Sequence, residues 1–205
     1  MKSMTIVYAV KNGLYVNLTN RCPCACTFCI RRNDDGAYGS DPLWLEREPS
    51  VEEVLAAIEA AKVEKYAELV FCGYGEPTER LDDLLEVARR VKVAHPAVKV
   101  RVNTNGLSDL IAGAPTAARF AGVVDSISIS LNAATPEKYV ALCRPRFGSA
   151  AYAALLKFAE EIRAVVPSVT MTAVATADFS SADRRACQAI CDRLGVTLSV
   201  RDYIG

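Results

Sequence analysis

One histidine, His95, is all that 205 residues provide. Histidine is the side chain whose ordinary titration falls near neutral pH, so a mechanism built on an imidazole base has a single position to rely on. That position stands before Pro96 at the expected end of a helix and reads as a C-terminal cap. Long apolar runs are missing too: none reaches the roughly 20 residues that cross a bilayer. The short apolar stretch near the N-terminus is broken by Lys11, Asn12 and Gly13, too soon for a signal peptide. A mature cytoplasmic chain, with no membrane partner, is expected. Charge of one sign is also lacking. Lys plus Arg is 24 and Asp plus Glu is 24, so no global field draws in nucleic acid non-specifically. Low-complexity segments and solenoid repeats are absent. What remains is a chain with 51% hydrophobic residues and a mean hydropathy of +0.15, which excludes disorder and suits one domain spanning 1–205.

Cysteine is the residue in surplus. The eight lie at 22, 24, 26, 29, 72, 143, 187 and 191. Four of them fall within eight residues. A disulfide scaffold spreads its cysteines to staple distant loops, whereas neighbours this close in a chain without a signal suggest thiolates that bind metal.

The remaining pattern is strand and helix in alternation. Segments 4–10 and 14–19 flank an Asn12-Gly13 pair that signals a hairpin. Ser50 stands three residues before Glu53 in capping-box spacing, ahead of a helix through Val54, Leu55 and Ile58. Strands are expected near 68–72, 98–103, 125–131, 168–175 and 196–201. Helices are expected from Leu81 to before Pro96, in interrupted form over 107–120, after Thr135-Pro136, and over 149–164 and 182–194. A polar loop to about residue 49 follows the cysteines. This order argues for parallel strands with crossover helices.

Most of those strands alternate, although parallel strands buried on both faces are usually apolar throughout. Leu14, Val16 and Leu18 interleave with Tyr15, Asn17 and Thr19; Val98, Val100 and Val102 interleave with Lys99, Arg101 and Asn103. Residues 126–132, 169–173 and 196–201 repeat the pattern. Successive side chains on a strand point to opposite faces, so one face is apolar and takes the helices, and the other is polar. A curved sheet rolled into a partial barrel with a polar lumen accounts for both. Six such strands are too few for a closed (β/α)₈ barrel. The expected fold is therefore α/β, an open partial (β/α)₆ barrel with a short N-terminal β-hairpin. Lys99, Arg101 and Arg201 on the polar face, with Arg144 near the mouth, suggest an anionic substrate unless carboxylates pair with them.

Cys22, Cys26 and Cys29 form C-x3-C-x2-C directly after the first barrel strand, where the site of a barrel lies. Three thiolates fill three corners of a [4Fe–4S] cluster and leave one iron open. A zinc site completed by Cys24 is the competing reading, but C-x-C-x-C-x2-C is cramped for a structural tetrahedron, and Cys24 reads as incidental. Cys187 and Cys191 share a helix face with apolar neighbours and read as core, as does Cys72. Arg21, Arg31 and Arg32 flank the cluster motif.

These residues resemble the radical S-adenosylmethionine (radical SAM) superfamily. The cysteine motif carries an aromatic residue, Phe28, before its last cysteine. Gly73-Tyr74-Gly75-Glu76-Pro77 after the second barrel strand looks like the family's glycine-glycine-glutamate-proline motif. Thr104-Asn105-Gly106 follows the third strand, and Ser130-Leu131-Asn132 closes the fourth. Asn17-Leu18-Thr19-Asn20-Arg21-Cys22-Pro23-Cys24, Leu43-Trp44-Leu45-Glu46 and Leu142-Cys143-Arg144-Pro145 look like the short members associated with TatD-type nucleases.

The resemblance implies a [4Fe–4S] cluster on Cys22, Cys26 and Cys29. S-adenosylmethionine (SAM) would be held by Phe28, Gly73, Gly75, Glu76, Pro77, Asn105, Ser130 and Asn132. Phe28 packs against adenine in that picture, Glu76 takes the methionine ammonium, and Ser130 and Asn132 take the ribose hydroxyls. The implied reaction is reductive SAM cleavage to a 5′-deoxyadenosyl radical that abstracts hydrogen from a substrate the sequence does not name. The implied partners are a reductant such as flavodoxin or ferredoxin and, functionally, a TatD-type nuclease. The chain departs from the family at Val174-Ala175-Thr176, where many members carry glycine-isoleucine-glycine. Two other readings stand beside this one: an activase that makes a radical on another protein, and a non-enzymatic iron–sulfur or zinc protein.

Overall fold

The structure is a computed structural model that describes residues 2–32 and 35–203. Its strands are β1 (Lys2–Ser3), β2 (Val7–Val10), β3 (Gly13–Val16), β4 (Trp44–Leu45), β5 (Glu68–Phe71), β6 (Lys99–Thr104), β7 (Ser126–Ser130), β8 (Ser168–Ala175) and β9 (Thr197–Asp202). Its α-helices are α1 (Val51–Ala60), α2 (Leu81–Ala94), α3 (Ser108–Ala112), α4 (Pro136–Cys143), α5 (Ala150–Ile162) and α6 (Ser181–Leu194). Seven strands make one sheet in the order β2-β3-β5-β6-β7-β8-β9. The β2–β3 pair is antiparallel, and the remaining pairs are parallel. β2 and β9 are the two ends, so the sheet does not close. This is the open partial (β/α)₆ barrel with an N-terminal hairpin that the alternation implies.

Local chemistry sets the boundaries. Ser50 and Glu53 form the expected capping box on α1, an arrangement typically contributing about 1 kcal/mol. Thr135 caps α4 by accepting from Lys138 N, with Pro136 at the first turn. His95 ends α2, its N–H on Val91 O and its ring on Glu59 Oε1 at 2.7 Å. The hairpin turn is Lys11-Asn12, with Lys11 at φ 52°; Gly13 already pairs with Val10. The Asn-Gly pair therefore locates the hairpin but lies one residue past the turn.

The apolar face behaves as the alternation requires. Leu14, Val16, Leu69, Phe71, Val102 and Ile129 join the inward faces of the helices in one buried core, and Cys187 and Cys191 belong to it. On the other face Tyr8, Val10, Leu43 and Tyr74 form a second, smaller core against Tyr15, Ile30 and Trp44. Holding Trp44 there is a feature the sequence reading treats as loop: β4 pairs with β1 in parallel, and Asn20 brackets Leu45 through N–H and C=O at 3.0 and 2.8 Å.

Candidate functional site

Because six strands run in parallel, their C-terminal ends meet at one edge of the sheet, and every motif lies there. The cysteine loop follows β3 and is strung along residues 142–146. Ala25 N donates to Cys143 O at 3.0 Å, Thr27 N to Leu142 O at 2.9 Å, and Arg146 N to Pro23 O at 2.8 Å; Cys24 bridges Pro145 in antiparallel fashion. Arg31 ties the same loop to the next motif, donating to Cys24 O at 3.2 Å and Tyr74 O at 3.3 Å, with its guanidinium over Trp44. It is a structural clasp rather than a solvated charge. Arg21 reaches Glu48 at 2.7 Å and Glu79 at 3.5 Å.

Cys22, Cys26 and Cys29 are half-buried, while Cys24 and Cys143 are buried. The neighbouring Cys143 and Cys24 thiols hold Cys26 well below the ordinary thiol range, and Cys24 lowers Cys22 as well. The same neighbours push the Cys24 and Cys143 thiols up in turn. Burial raises Cys29. Asn105 Nδ2 reaches Cys24 Sγ at 3.8 Å, and Asn132 Nδ2 reaches Cys143 Sγ at 3.4 Å. Cys143 thus joins the group, though the sequence singled it out only through the Leu142-Cys143-Arg144-Pro145 stretch.

The Gly73–Pro77 loop packs directly under the cysteine loop. A Cβ on Gly75 would stand 2.2 Å from Thr19 O and 2.6 Å from Arg21 O, and one on Gly73 would stand 2.1 Å from Asn17 Oδ1. Both glycines are thus required by neighbouring protein atoms. Glu76 is buried at 4% exposure. Its Oε1 accepts from Thr104 Oγ1 at 2.7 Å, Thr78 Oγ1 at 2.8 Å and Thr78 N at 3.1 Å, and its Oε2 from Asn105 N at 2.7 Å. Burial raises its pKa against the pull of these bonds. Pro77, also buried, opens the short 3-10 turn that Glu76 caps.

Two cavities adjoin these residues. One of about 250 Å³ occupies the lumen, where Phe28, Cys29, Gly73 and Tyr74 meet Tyr15, Asn103 and Arg201. Cys72 lines it as well, so that cysteine belongs to the lumen and not, as its apolar strand suggests, to the core behind the sheet. The second cavity, about 210 Å³, is bounded by Asn132, Leu142, Thr176 and Phe179. Asn132 takes a left-handed φ of 59°. Ser130 ends β7 opposite Thr172. Of the cations expected in the lumen, Arg101 meets Glu68 at 2.8 Å, while Lys99, largely exposed at the start of β6 and not among the residues lining the lumen cavity, meets Asp125 at 3.7 Å. Arg201 bonds Ser128 Oγ at 3.0 Å.

The residues fit an iron–sulfur cluster and a small zwitterionic ligand. The Cys26 and Cys22 thiols are both lowered toward the thiolate, the form that binds iron. Among the described residues, no three Cys, His, Asp or Glu side chains close on one point as a single-ion site does; a cluster takes each thiolate on a separate iron. Asn103 Oδ1 is a buried acceptor with no hydrogen-bond partner, and its residue lines the lumen cavity. Buried polar atoms rarely stay unpaired, so this one suits a ligand donor. Among the described residues no helix is long and apolar enough to cross a membrane.

The family model described as "Radical SAM superfamily" matches residues 16–181. No curated protein matches the chain. Among solved structures, SuiB of Streptococcus suis bound to its precursor peptide SuiA superposes with a TM-score of 0.69 at 17% identity, over 97% of this chain and 40% of that one. A radical SAM methyltransferase from Sphaerobacter thermophilus gives 0.61 at 16% identity, over 97% and 69%. The FeFe-hydrogenase maturase HydG from Carboxydothermus hydrogenoformans gives 0.65 at 16% identity, over 94% and 44%. The chain therefore spans about two fifths of the length of the SuiB chain it resembles, and identities this low speak for the fold alone.

Proposed function

The chain belongs to the radical SAM superfamily, and from that premise we propose that it is an enzyme that cleaves SAM reductively to start hydrogen-atom abstraction from a substrate. Superfamily membership implies a [4Fe–4S] cluster and SAM. In our reading Cys22, Cys26 and Cys29 hold the cluster, which, when bound with SAM, supplies the electron that breaks the sulfonium bond. The observation that carries this is the convergence of three half-buried thiols with the Gly73–Pro77 loop and an open lumen at one sheet edge. An electron carrier needs no such lumen, and this favours an enzyme over the non-enzymatic alternative.

The chain's own residues then have definable tasks. Phe28 offers an apolar face at the cavity wall. Gly73, Gly75 and Pro77 keep the motif loop tight against the cysteine loop. Glu76 fixes that loop to Asn105 across the mouth, and its second oxygen, which holds one bond, retains acceptor capacity for the methionine ammonium. Asn132 has its amide N–H on Cys143, leaving its carbonyl oxygen for a ribose hydroxyl, with Ser130 two residues earlier. Water exclusion falls to Tyr8, Tyr15 and Tyr74, whose rings wall the lumen.

A reductant such as flavodoxin or ferredoxin, and a functional link to a TatD-type nuclease, belong to this proposal as partners, as does a cytoplasmic setting. Anaerobic reconstitution tests it. Close to four irons and four sulfides per chain are expected, and SAM should change the electron paramagnetic resonance spectrum of the reduced cluster. A reconstituted protein holding a single metal ion, or one blind to SAM, contradicts it.

A further inference from the structure

Tyr15, Asn103 and Arg201 line the lumen cavity, and the reading above gives their polar groups no ligand. They belong to strands β3, β6 and β9, whereas the residues assigned to the cluster and SAM stand at or beyond the strand ends. The sheet register brings the three together. Ser128 of β7 stands opposite Asn103 of β6. Arg201 crosses β8 to donate to Ser128 Oγ at 3.0 Å, which sets its guanidinium beside Asn103. From the other side Tyr15 reaches across β5 to Arg101, whose Nη2 donates to the phenolic oxygen at 3.1 Å. Arg101 lies two residues before Asn103, on the same face of β6.

Each group has unused bonding capacity. Asn103 Oδ1 is buried and accepts no hydrogen bond. Arginine only donates, so the Tyr15 oxygen is the acceptor in its bond with Arg101, and its own O–H proton remains for another acceptor. Arg201 carries five N–H donors. Among the described residues its side chain makes one hydrogen bond, to a neutral hydroxyl, and no ion pair. Arg101, by contrast, has Glu68 at 2.8 Å.

These groups define a ligand chemistry. One cation without an ion pair suits a single negative charge, and the planar guanidinium matches a carboxylate in bidentate fashion. A carboxylate has no proton to give Asn103 Oδ1, so the ligand needs an N–H close to its charged group. Amino acids and their N-acyl derivatives carry that pair, and a cavity of about 250 Å³ walled by tyrosine rings holds a molecule of metabolite size.

We propose that the lumen cavity takes an α-amino carboxylate as substrate, free or N-acylated, with its carboxylate on Arg201 and its N–H on Asn103 Oδ1. That this ligand is the substrate rests on the proposed function. An acyl oxygen has the Tyr15 O–H as its donor; a free ammonium has Asp202, which lines the same cavity. SAM bears the same pair of groups but is assigned to Glu76 and Asn105 at the sheet edge, so the two ligands are expected to bind together.

The test is calorimetric titration of the reconstituted full-length protein, with and without saturating SAM. The probes are hippurate for the N-acyl form and L-phenylalanine for the free form. At least one is expected to bind in the presence of SAM, and the tighter of the two names the source. Hippuramide and phenylalaninamide, which lack the charge, should bind at least about tenfold more weakly, as should either probe to Arg201→Gln, since a hydrogen bond to a charged group is at stake. Benzoyloxyacetate and 3-phenylpropanoate, which lack the N–H, should lose affinity on wild type but not on Asn103→Leu. If a variant does not fold, the comparison of probes on wild type decides the same question. Equal affinity for the charged and amide probes overturns the proposal, as does binding that SAM abolishes, which would give the pair of groups to SAM itself. A chain that loads its cluster, responds to SAM and binds neither probe overturns this proposal alone. A chain that binds a probe as expected but assembles no cluster overturns the functional reading, and with it the ligand's role as substrate.

Discussion

Glu76 Oε2 accepts the backbone N–H of Asn105 at 2.7 Å, fastening the loop after β5 to the loop after β6. The carboxylate is buried and its bonds also serve Thr78 and Thr104, so two motifs far apart in sequence share one acceptor. Glu76→Ala would strand those buried donors without a partner. A loss of at least about 2 kcal/mol is expected in urea unfolding, since each unsatisfied buried group costs roughly 1–3 kcal/mol. SAM affinity measured by calorimetry should fall in the same variant with the cluster retained. Unchanged stability would mean that the shared acceptor is unimportant.

Gly75 makes a second, sharper case. The atoms a new Cβ would strike are the carbonyls of Thr19 and Arg21, and backbone moves less readily than a side chain. Gly75→Ala is expected to destabilise by about 1–3 kcal/mol through overpacking and to lower the iron bound on reconstitution, because the strained element is the cysteine loop. Wild-type iron content at wild-type stability would show that the loops have room to part.

The N-terminal turn of α6 offers a pH-dependent prediction outside the cysteine motif. Asp183 closes a capping box with Ser180, and its pKa is lowered from 3.8 to about 2 by Lys138 first and Ser180 second. Its charged form is therefore favoured by folding. That stabilisation is present above about pH 4 and is lost as pH falls toward 2. Asp183→Asn should melt below wild type at neutral pH, and the gap should close across that window. A gap independent of pH would assign the effect to shape rather than charge.

The cysteines separate by role. Cys22→Ala, Cys26→Ala and Cys29→Ala should each abolish the cluster on reconstitution, and Cys24→Ala should keep it. Loss of iron in Cys24→Ala with retention in one of the other three would reassign the ligands.

Much of this architecture was legible in the sequence because it is local. The strand alternation of Leu14 to Thr19 and Val98 to Asn103 reports its two faces directly, and Ser50–Glu53 and Thr135-Pro136 cap their helices as written. The order of motifs after successive strands locates the site. What could not be read depends on long-range contact. β1 and β4 have two residues each, too few to show a period, and pair across some 40 residues. Cys72 sits in an apolar run that looks alike from either side of the sheet, so its lumen position needed the register. The cations Lys99 and Arg101 announce a charged lumen, but their carboxylates, Asp125 and Glu68, lie on other elements. Gly73 and Gly75 are conspicuous in the motif, whereas the protein carbonyls and side chain that crowd them are supplied by the β3 loop.

The most direct measurement is the formation of 5′-deoxyadenosine by anaerobically reconstituted protein given SAM and dithionite. Wild type is expected to release it, and Cys29→Ala, lacking a cluster thiolate, is expected to release none. Intact SAM after incubation with a reduced, fully loaded cluster would contradict the proposed function.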